Sequence, residues 1–404
     1  MNCGLLGRKL GHSASPQLHA LFGDDAYALY EREETQLPAF LQNCDLRGLN
    51  VTVPYKQAVL PYCDTLTDCA SAVGSVNTLL FENGRILGDN TDVFGFWSLL
   101  AKYDIAVKQK KVLVLGSGGA SKAVQYVLRE QGAHVTVISR TGEDNYVNLC
   151  KHRDADIIVN ATPVGMYPDN GNSLIDLTQF TNCETVIDLI YNPLKSALLL
   201  QAEALGKQAV NGLYMLAAQA KRASELFQGK MLSDELTETA FRALSVQMQS
   251  TVLIGMPGCG KTTVGQLLAE KTGRAFFDSD TAFEETYGIS PEAFLLQNGE
   301  AAFRKRETAV LKELCKQTGC VIATGGGAVT VPENLPILKQ NGTVVYLQRP
   351  ISELTVQGRP LSRQSGIEVL AAQRLPLYLA WADLTVRADT PEDAAETIRK
   401  ELSL

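Results

Sequence analysis

The sequence predicts an α/β protein built on parallel sheets, and two stretches carry that expectation. From Lys110 the chain alternates strand and helix. Val112-Leu113-Val114-Leu115 is a continuous apolar run, Gly116-Ser117-Gly118-Gly119-Ala120 is a tight turn, and Ala120, Ala123, Val124, Val127 and Leu128 recur at helical spacing. Past the middle of the 404 residues, the apolar run Thr251-Val252-Leu253-Ile254 leads into Gly255-Met256-Pro257-Gly258-Cys259-Gly260-Lys261-Thr262, and Val264, Leu267 and Leu268 mark the helix that follows. Consecutive strands joined through a helix lie parallel, and strands buried on both faces read as unbroken apolar runs.

The other elements follow in order. Residues 1–97 mix short strands with helical stretches and turns and form the first domain. Residues 98–212 form the second, where His134-Val135-Thr136-Val137-Ile138, Asp156-Ile157-Ile158-Val159-Asn160 and Thr185-Val186-Ile187-Asp188-Leu189-Ile190 add strands to the first apolar run. Residues 213–244 are helical, first from Leu213 to Phe227 and then, after the capping signal Ser233-Asp234-Glu235, to about Leu244. Ser245 to Ser250 are polar and aperiodic, which predicts a linker at 245–250. The last domain spans 251–404.

Composition excludes several classes. A net charge of −7 argues against a dedicated nucleic-acid or membrane-surface partner. Nine scattered cysteines with no C-x-x-C pair, beside only four histidines, give no zinc site and predict reduced thiols. The absence of a long apolar stretch predicts a cytoplasmic protein that takes small molecules, with no nucleic-acid or membrane partner. Oligomeric state is not legible.

The glycine turns carry the chemistry. Residues 255–262 match G-x-x-x-x-G-K-[ST] between strand and helix. In that motif backbone N–H groups of Gly258, Cys259, Gly260, Lys261, Thr262 and Thr263 wrap phosphates, Lys261 reaches the β/γ-phosphates and the Thr262 hydroxyl faces Mg²⁺. ATP is the expected nucleotide. At the earlier turn, Gly116, Ser117, Gly118, Gly119 and Ala120 are placed to cradle a pyrophosphate. A site that selects NAD sets Asp or Glu at the end of the second strand. This chain has Ser139-Arg140-Thr141 there, which suits a 2′-phosphate and predicts NADP(H). A solvent-facing loop arginine is the alternative.

Six segments, in order, resemble the shikimate dehydrogenase family. They are Gly11-His12-Ser13-Ala14-Ser15-Pro16, Gly48-Leu49-Asn50-Val51-Thr52-Val53-Pro54-Tyr55-Lys56, Gly74-Ser75-Val76-Asn77-Thr78, Asn90-Thr91-Asp92, Asn160-Ala161-Thr162-Pro163 and Gly212-Leu213-Tyr214-Met215-Leu216-Ala217-Ala218-Gln219. The resemblance implies an α/β substrate domain followed by a Rossmann NADP domain. It implies that Ser13 and Ser15 hold the shikimate carboxylate, and that Thr52, Asn77, Asp92, Tyr191 and Gln219 hold the hydroxyl side. Lys56 and Asp92 are the implied proton-transfer pair, with Leu189 and Gly212 near the nicotinamide. Val93 stands where a glycine often follows the N-T-D triplet, and quinate-using relatives share most of these segments.

The back half resembles shikimate kinase, which implies a P-loop α/β/α domain. Phe277-Asp278-Ser279-Asp280 resembles its D-x-D, Phe303-Arg304-Lys305-Arg306-Glu307 its F-R-x-x-E, Thr324-Gly325-Gly326-Gly327 its triple-glycine loop, Arg359-Pro360-Leu361 its lid and Arg374-Leu375-Pro376-Leu377-Tyr378 its R-x-P-x-Y. The resemblance implies Thr262 and Asp278 at the metal, Lys261 and the lid Arg359 around the transferring phosphoryl, Asp280 on the attacking hydroxyl, and Arg304, Arg374 and Gly326 on the substrate. Val356-Gln357 occupy positions where relatives often carry adenine-flanking arginines.

A bifunctional enzyme of aromatic amino acid biosynthesis is the expectation: reduction of 3-dehydroshikimate to shikimate, then phosphorylation of shikimate. Two alternatives stay open, an active dehydrogenase with a degenerate kinase module and a metabolite-sensing regulator. The regulator predicts broken catalytic residues and a basic segment, whereas Lys56, Asp92, Lys261 and Asp280 are intact.

Overall fold

The computed structural model describes all residues except 1, 12, 25, 355–365 and 388. Its contacts divide the chain into two units, one of Met1–Gly165, Asn172–Tyr191 and Gln201–Leu244, the other of Met166–Gly171, Asn192–Leu200 and Ser245–Leu404.

The first unit holds two sheets. One is built from β1 (Cys3–Gly7), β2 (Tyr27–Glu31), β3 (Gly48–Val51), β4 (Thr65–Leu66), β5 (Thr78–Glu82) and β6 (Arg85–Asp89) in the order β2-β1-β3-β5-β6-β4. β1 is buried along its whole length and pairs parallel with β2 and β3, whereas the β5–β6 hairpin adds antiparallel strands. The helix Leu213–Gln228 covers this sheet through Ala223 and Phe227, which pack with Cys3, Leu5, Tyr27 and Leu80. Phe227 is fully buried, so truncating it to alanine costs about 3–5 kcal/mol.

The second sheet is wholly parallel: β7 (Lys111–Leu115), β8 (His134–Ile138), β9 (Ile157–Asn160), β10 (Thr185–Asp188) and β11 (Gln208–Asn211), in the order β11-β10-β9-β7-β8. The strand order reverses between β7 and β9. That is where an open α/β sheet leaves a crevice at its strand carboxyl ends. The helix Thr91–Lys102 packs along Leu213–Gln228, and its Phe96 and Leu99 enter the core of this second sheet.

One expectation is corrected here. The helix predicted to stop near Leu244 runs Glu235–Met248, and the next strand begins at Ser250, so residues 245–250 are not an irregular linker. The reason lies in the orphan carbonyls of a helix end. Arg274 supplies donors to two of them, Nη2 to the Val246 carbonyl at 2.5 Å and Nη1 to the Gln249 carbonyl at 2.6 Å.

The second unit is a parallel sheet of β12 (Ser250–Ile254), β13 (Phe276–Asp278), β14 (Val321–Ala323), β15 (Gly342–Gln348) and β16 (Leu384–Arg387), in the order β13-β14-β12-β15-β16. The phosphate loop leaves β12 at the carboxyl edge and feeds the helix Lys261–Thr272. Phe283, Phe303 and Val310 form a separate apolar cluster on the helices Ser279–Tyr287 and Glu300–Leu314. Among the described residues no helix is long and apolar enough to cross a membrane.

Two candidate active sites

In the first unit, the chain leaving β3 turns sharply and brings Lys56 to Asp92. Nζ lies 2.5 Å from Oδ2, with the two side chains 15% and 8% exposed. Asp92 stands in the first turn of Thr91–Lys102, where the helix N-terminus favours a carboxylate. Its other oxygen accepts from Asn77 Nδ2 at 2.9 Å. Asn77 Nδ2 also donates to the Thr91 hydroxyl at 3.0 Å, which donates on to Gln219 Oε1 at 3.4 Å, so Lys56, Asn77, Asp92, Thr91 and Gln219 form one bonded group. Among the described hydrogen bonds, Ser13, Ser15, Thr52 and Tyr191 make none directly to that group. Ser13 Oγ accepts from the Ser15 backbone N–H at 3.2 Å at the start of the helix Ser15–Leu21, the Thr52 N–H bonds the Leu6 carbonyl at 2.9 Å, and burial pushes the Tyr191 phenol up.

The glycine turn after β7 sits at the crevice. Gly116 borders Ala161 and Thr162 beyond β9, Ser117 and Gly118 follow, and Gly119 and Ala120 open the helix Gly119–Glu130. A β-carbon on Gly212 would stand 2.1 Å from the Leu189 carbonyl, so only glycine lets these two predicted nicotinamide neighbours close on each other. Ser139, Arg140 and Thr141 follow β8, with Arg140 and Thr141 exposed and the Ser139 N–H bonded to the Asp144 carbonyl at 3.2 Å. The Asp144 carboxylate pairs with His152 Nε2 at 2.7 Å. Ser121, not foreseen from the sequence, is buried and donates to the Gly116 carbonyl at 2.6 Å.

In the second unit a cavity of about 360 Å³ is lined by Lys261, Thr262, Thr263, Asp278, Asp280, Arg304, Glu307, Gly325, Gly326 and Arg374, with Gly258 and Gly260 at its phosphate-loop edge. The Thr262 hydroxyl donates to Asp278 Oδ2 at 2.7 Å, and Asp278 Oδ1 caps the next helix through the Asp280 N–H at 2.9 Å. A hydroxyl and a carboxylate side by side at a phosphate loop fit Mg²⁺, which takes oxygen ligands and completes its shell with water and phosphate. Lys261 Nζ donates to the Gly255 and Met256 carbonyls at 2.9 and 3.1 Å, and Cys259 is a small buried side chain.

Arg304 Nη1 donates to Glu307 Oε2 at 2.7 Å and Nη2 to Glu300 Oε1 at 3.2 Å. Arg304 Nε, Arg374 Nε and Glu307 Oε1 are buried without a hydrogen bond. Buried orphan donors beside a polar cavity are what an anionic ligand satisfies. Burial is the largest influence on the Glu307 carboxyl and pushes it up against the pull of Arg304. Sequence reasoning left Glu307 off the site, although its position three after Arg304 on one helix face is the signal for it. The predicted lid Arg359, with Val356 and Gln357, lies outside the described residues.

The front unit is thus a dinucleotide-binding α/β oxidoreductase and the back unit a P-loop kinase. Two family models match the chain, one within each unit. Residues 5–79 match the shikimate dehydrogenase substrate binding domain, and residues 257–403 match shikimate kinase. A shikimate dehydrogenase (NADP(+)) from Clostridium beijerinckii is 35% identical over 255 residues, which are 58% of this chain and 94% of the relative. The shikimate 5-dehydrogenase of Thermus thermophilus, solved with NADP(H) and shikimate, superposes with a TM-score of 0.55 at 34% identity, over 60% of this chain and 99% of its own. A quinate dehydrogenase from Corynebacterium glutamicum in complex with NAD gives 0.53 at 28% identity, over 60% and 99%. The chain belongs to the shikimate dehydrogenase family and carries a shikimate kinase domain behind it, which makes it an enzyme of the shikimate pathway.

Proposed function

We propose that the front unit reduces 3-dehydroshikimate to shikimate with NADPH, and that the back unit phosphorylates the shikimate 3-hydroxyl with ATP and Mg²⁺, in the cytoplasm. The observation that carries this reading is that each unit sets its own charged group beside its own nucleotide turn: Lys56 against Gly119, and Asp280 in the cavity with Lys261.

In the reduction, bound NADPH supplies the hydride. Lys56 holds a proton at Nζ for the oxygen that becomes an alkoxide, and Asp92 orients that ammonium. Asn77 and Gln219 fix hydroxyls nearby, while Ser13 and Ser15 take the carboxylate and Thr52 and Tyr191 close the ring's remaining sides. Arg140, with Ser139 and Thr141, selects the 2′-phosphate and hence NADPH over NADH.

Phosphoryl transfer is mostly positioning and charge neutralisation. Thr262 and Asp278 would hold Mg²⁺, which neutralises phosphate charge. Lys261 faces the phosphates from the loop. Asp280 binds the attacking hydroxyl, and Arg304 and Arg374 present planar donors to the substrate carboxylate, a geometry that lysine does not reproduce.

The test is to supply the purified chain with 3-dehydroshikimate, NADPH, ATP and Mg²⁺ and follow NADPH loss and ADP release. Coupled consumption of both supports the reading. Absence of ADP above a no-substrate control overturns the kinase half, and absence of NADPH oxidation overturns the reductase half.

A further inference from the structure

A buried file of side chains runs into the Lys56–Asp92 pair from behind. The Tyr27 phenol donates to Asn50 Oδ1 at 2.8 Å, and Asn50 Nδ2 donates to the Thr78 hydroxyl at 3.1 Å. The Thr78 hydroxyl donates to Asn77 Oδ1 at 3.0 Å, and Asn77 Nδ2 donates to Asp92 Oδ1 at 2.9 Å. Asn50, Asn77, Thr78 and Asp92 are all buried, with Thr78 fully inaccessible.

Counting protons makes this file directional. An amide has a donor end and an acceptor end, and a hydroxyl has one proton. With the phenol donating to Asn50 oxygen, the Asn50 nitrogen faces Thr78, and the single Thr78 proton goes to the Asn77 oxygen at 3.0 Å, the nearer of its two acceptors, the Thr91 hydroxyl lying at 3.3 Å. The Thr91 backbone N–H, which can only donate, reaches that same oxygen at 2.7 Å and confirms the direction from the other end. The Asn77 nitrogen is then the end that meets Asp92. Reversed, the amide would set oxygen against carboxylate.

We propose that Thr78 is a positioning residue for the reduction: by committing its one proton to Asn77 Oδ1, it keeps the donor end of Asn77 on Asp92 and so holds the carboxylate where Lys56 needs it. This rests on the reading of Lys56 and Asp92 as the reacting pair. Thr78 touches neither substrate nor cofactor in this role.

The test compares Thr78→Val, which keeps the shape but removes the hydroxyl, with Thr78→Ser, which restores it, in the full chain oxidising shikimate with NADP⁺. The expected result for Thr78→Val is a kcat lower by about tenfold, with the shikimate KM and the NADP⁺ dissociation constant each within about twofold of wild type, and Thr78→Ser recovering most of the rate. NADP⁺ binding, read by direct titration, reports that the unit is folded. Wild-type turnover in Thr78→Val overturns the proposal. So does a valine variant that loses rate and NADP⁺ binding together, or a serine variant as slow as valine. Lys56→Ala, run in parallel, keeps the two readings apart: if it turns over normally, the reacting pair itself is wrong.

Discussion

The backbone of Gly119 lies against the stem of Lys56: a β-carbon on the glycine would stand 3.2 Å from Lys56 Cβ. The turn proposed to cradle the dinucleotide and the lysine proposed to supply the proton therefore share a wall. Lys56→Ala is expected to lower the rate of NADPH oxidation by about 10²–10⁴-fold, the range for loss of a general acid. Phosphorylation of added shikimate by the same preparation stays at the wild-type rate, and loss of both activities would count against independent sites.

Arg140 is exposed at the end of β8, where the adenosine ribose of a dinucleotide sits. Arg140→Ala is expected to raise the KM for NADPH by about tenfold, the worth of a charge-assisted contact, and to leave the KM for NADH unchanged. Equal effects on both cofactors would place the arginine outside the 2′-phosphate site.

Glu307 holds Arg304 through a 2.7 Å ion pair on one helix face, and both line the same cavity. Glu307→Gln keeps a hydrogen-bond acceptor but loses the charge, and it is expected to raise the KM for shikimate phosphorylation by about tenfold or more. Arg304→Lys, which cannot present a fork, should weaken shikimate binding further than it lowers the rate at saturation. Isothermal titration with shikimate separates the two.

Thr262 and Asp278 meet at 2.7 Å beside the phosphate loop. Asp278→Asn is expected to shift the Mg²⁺ dependence of ADP formation to concentrations about tenfold higher, since one anionic oxygen is lost from a hard-cation site. An unchanged Mg²⁺ titration would remove Asp278 from the metal. NADPH oxidation serves as the internal control.

His19 is buried in the first unit, stacked on Tyr27 at 3.9 Å, bonded to Ser224 Oγ at 2.8 Å and 3.4 Å from Asp24. Burial, its largest influence, lowers the imidazole pKa, and Asp24 and Asn50 oppose that only in part. The unfolded chain therefore binds a proton near pH 6.5 that the folded chain resists. The stability from the neutral ring is complete above that pH and falls as the pH drops through the lowered folded value. The melting temperature of the wild-type chain should fall between about pH 7.5 and 5.5, and His19→Gln should flatten that fall.

What was legible in the sequence follows from where the physics is local. A glycine turn between an apolar run and a helix needs only neighbouring residues to state itself, so Gly116–Ala120 and Gly255–Thr262 could be read directly, as could the parallel sheets that carry them. Glu307 was hidden in the run Arg304-Lys305-Arg306-Glu307, which reads as a solvated charged face. Helical phase divides it: Lys305 and Arg306 are exposed, whereas Glu307 is buried beside Phe303 and Val310. The continuation of the helix to Met248 was hidden for another reason, because its last carbonyls are satisfied by Arg274, far along the chain. The hydroxyl of Thr78 likewise takes part of its meaning from Asn50, on β3.

Gly327 shows how such packing constrains change over time. A β-carbon at that position would fall 1.9 Å from the Arg304 guanidinium nitrogen. Any lineage that puts a side chain at 327 must therefore displace the guanidinium, the far end of a flexible side chain, from Glu300 and Glu307, a cost that falls away once the arginine is gone. A survey of variants selected for new acceptors should find substitutions at 327 more often in backgrounds already altered at 304.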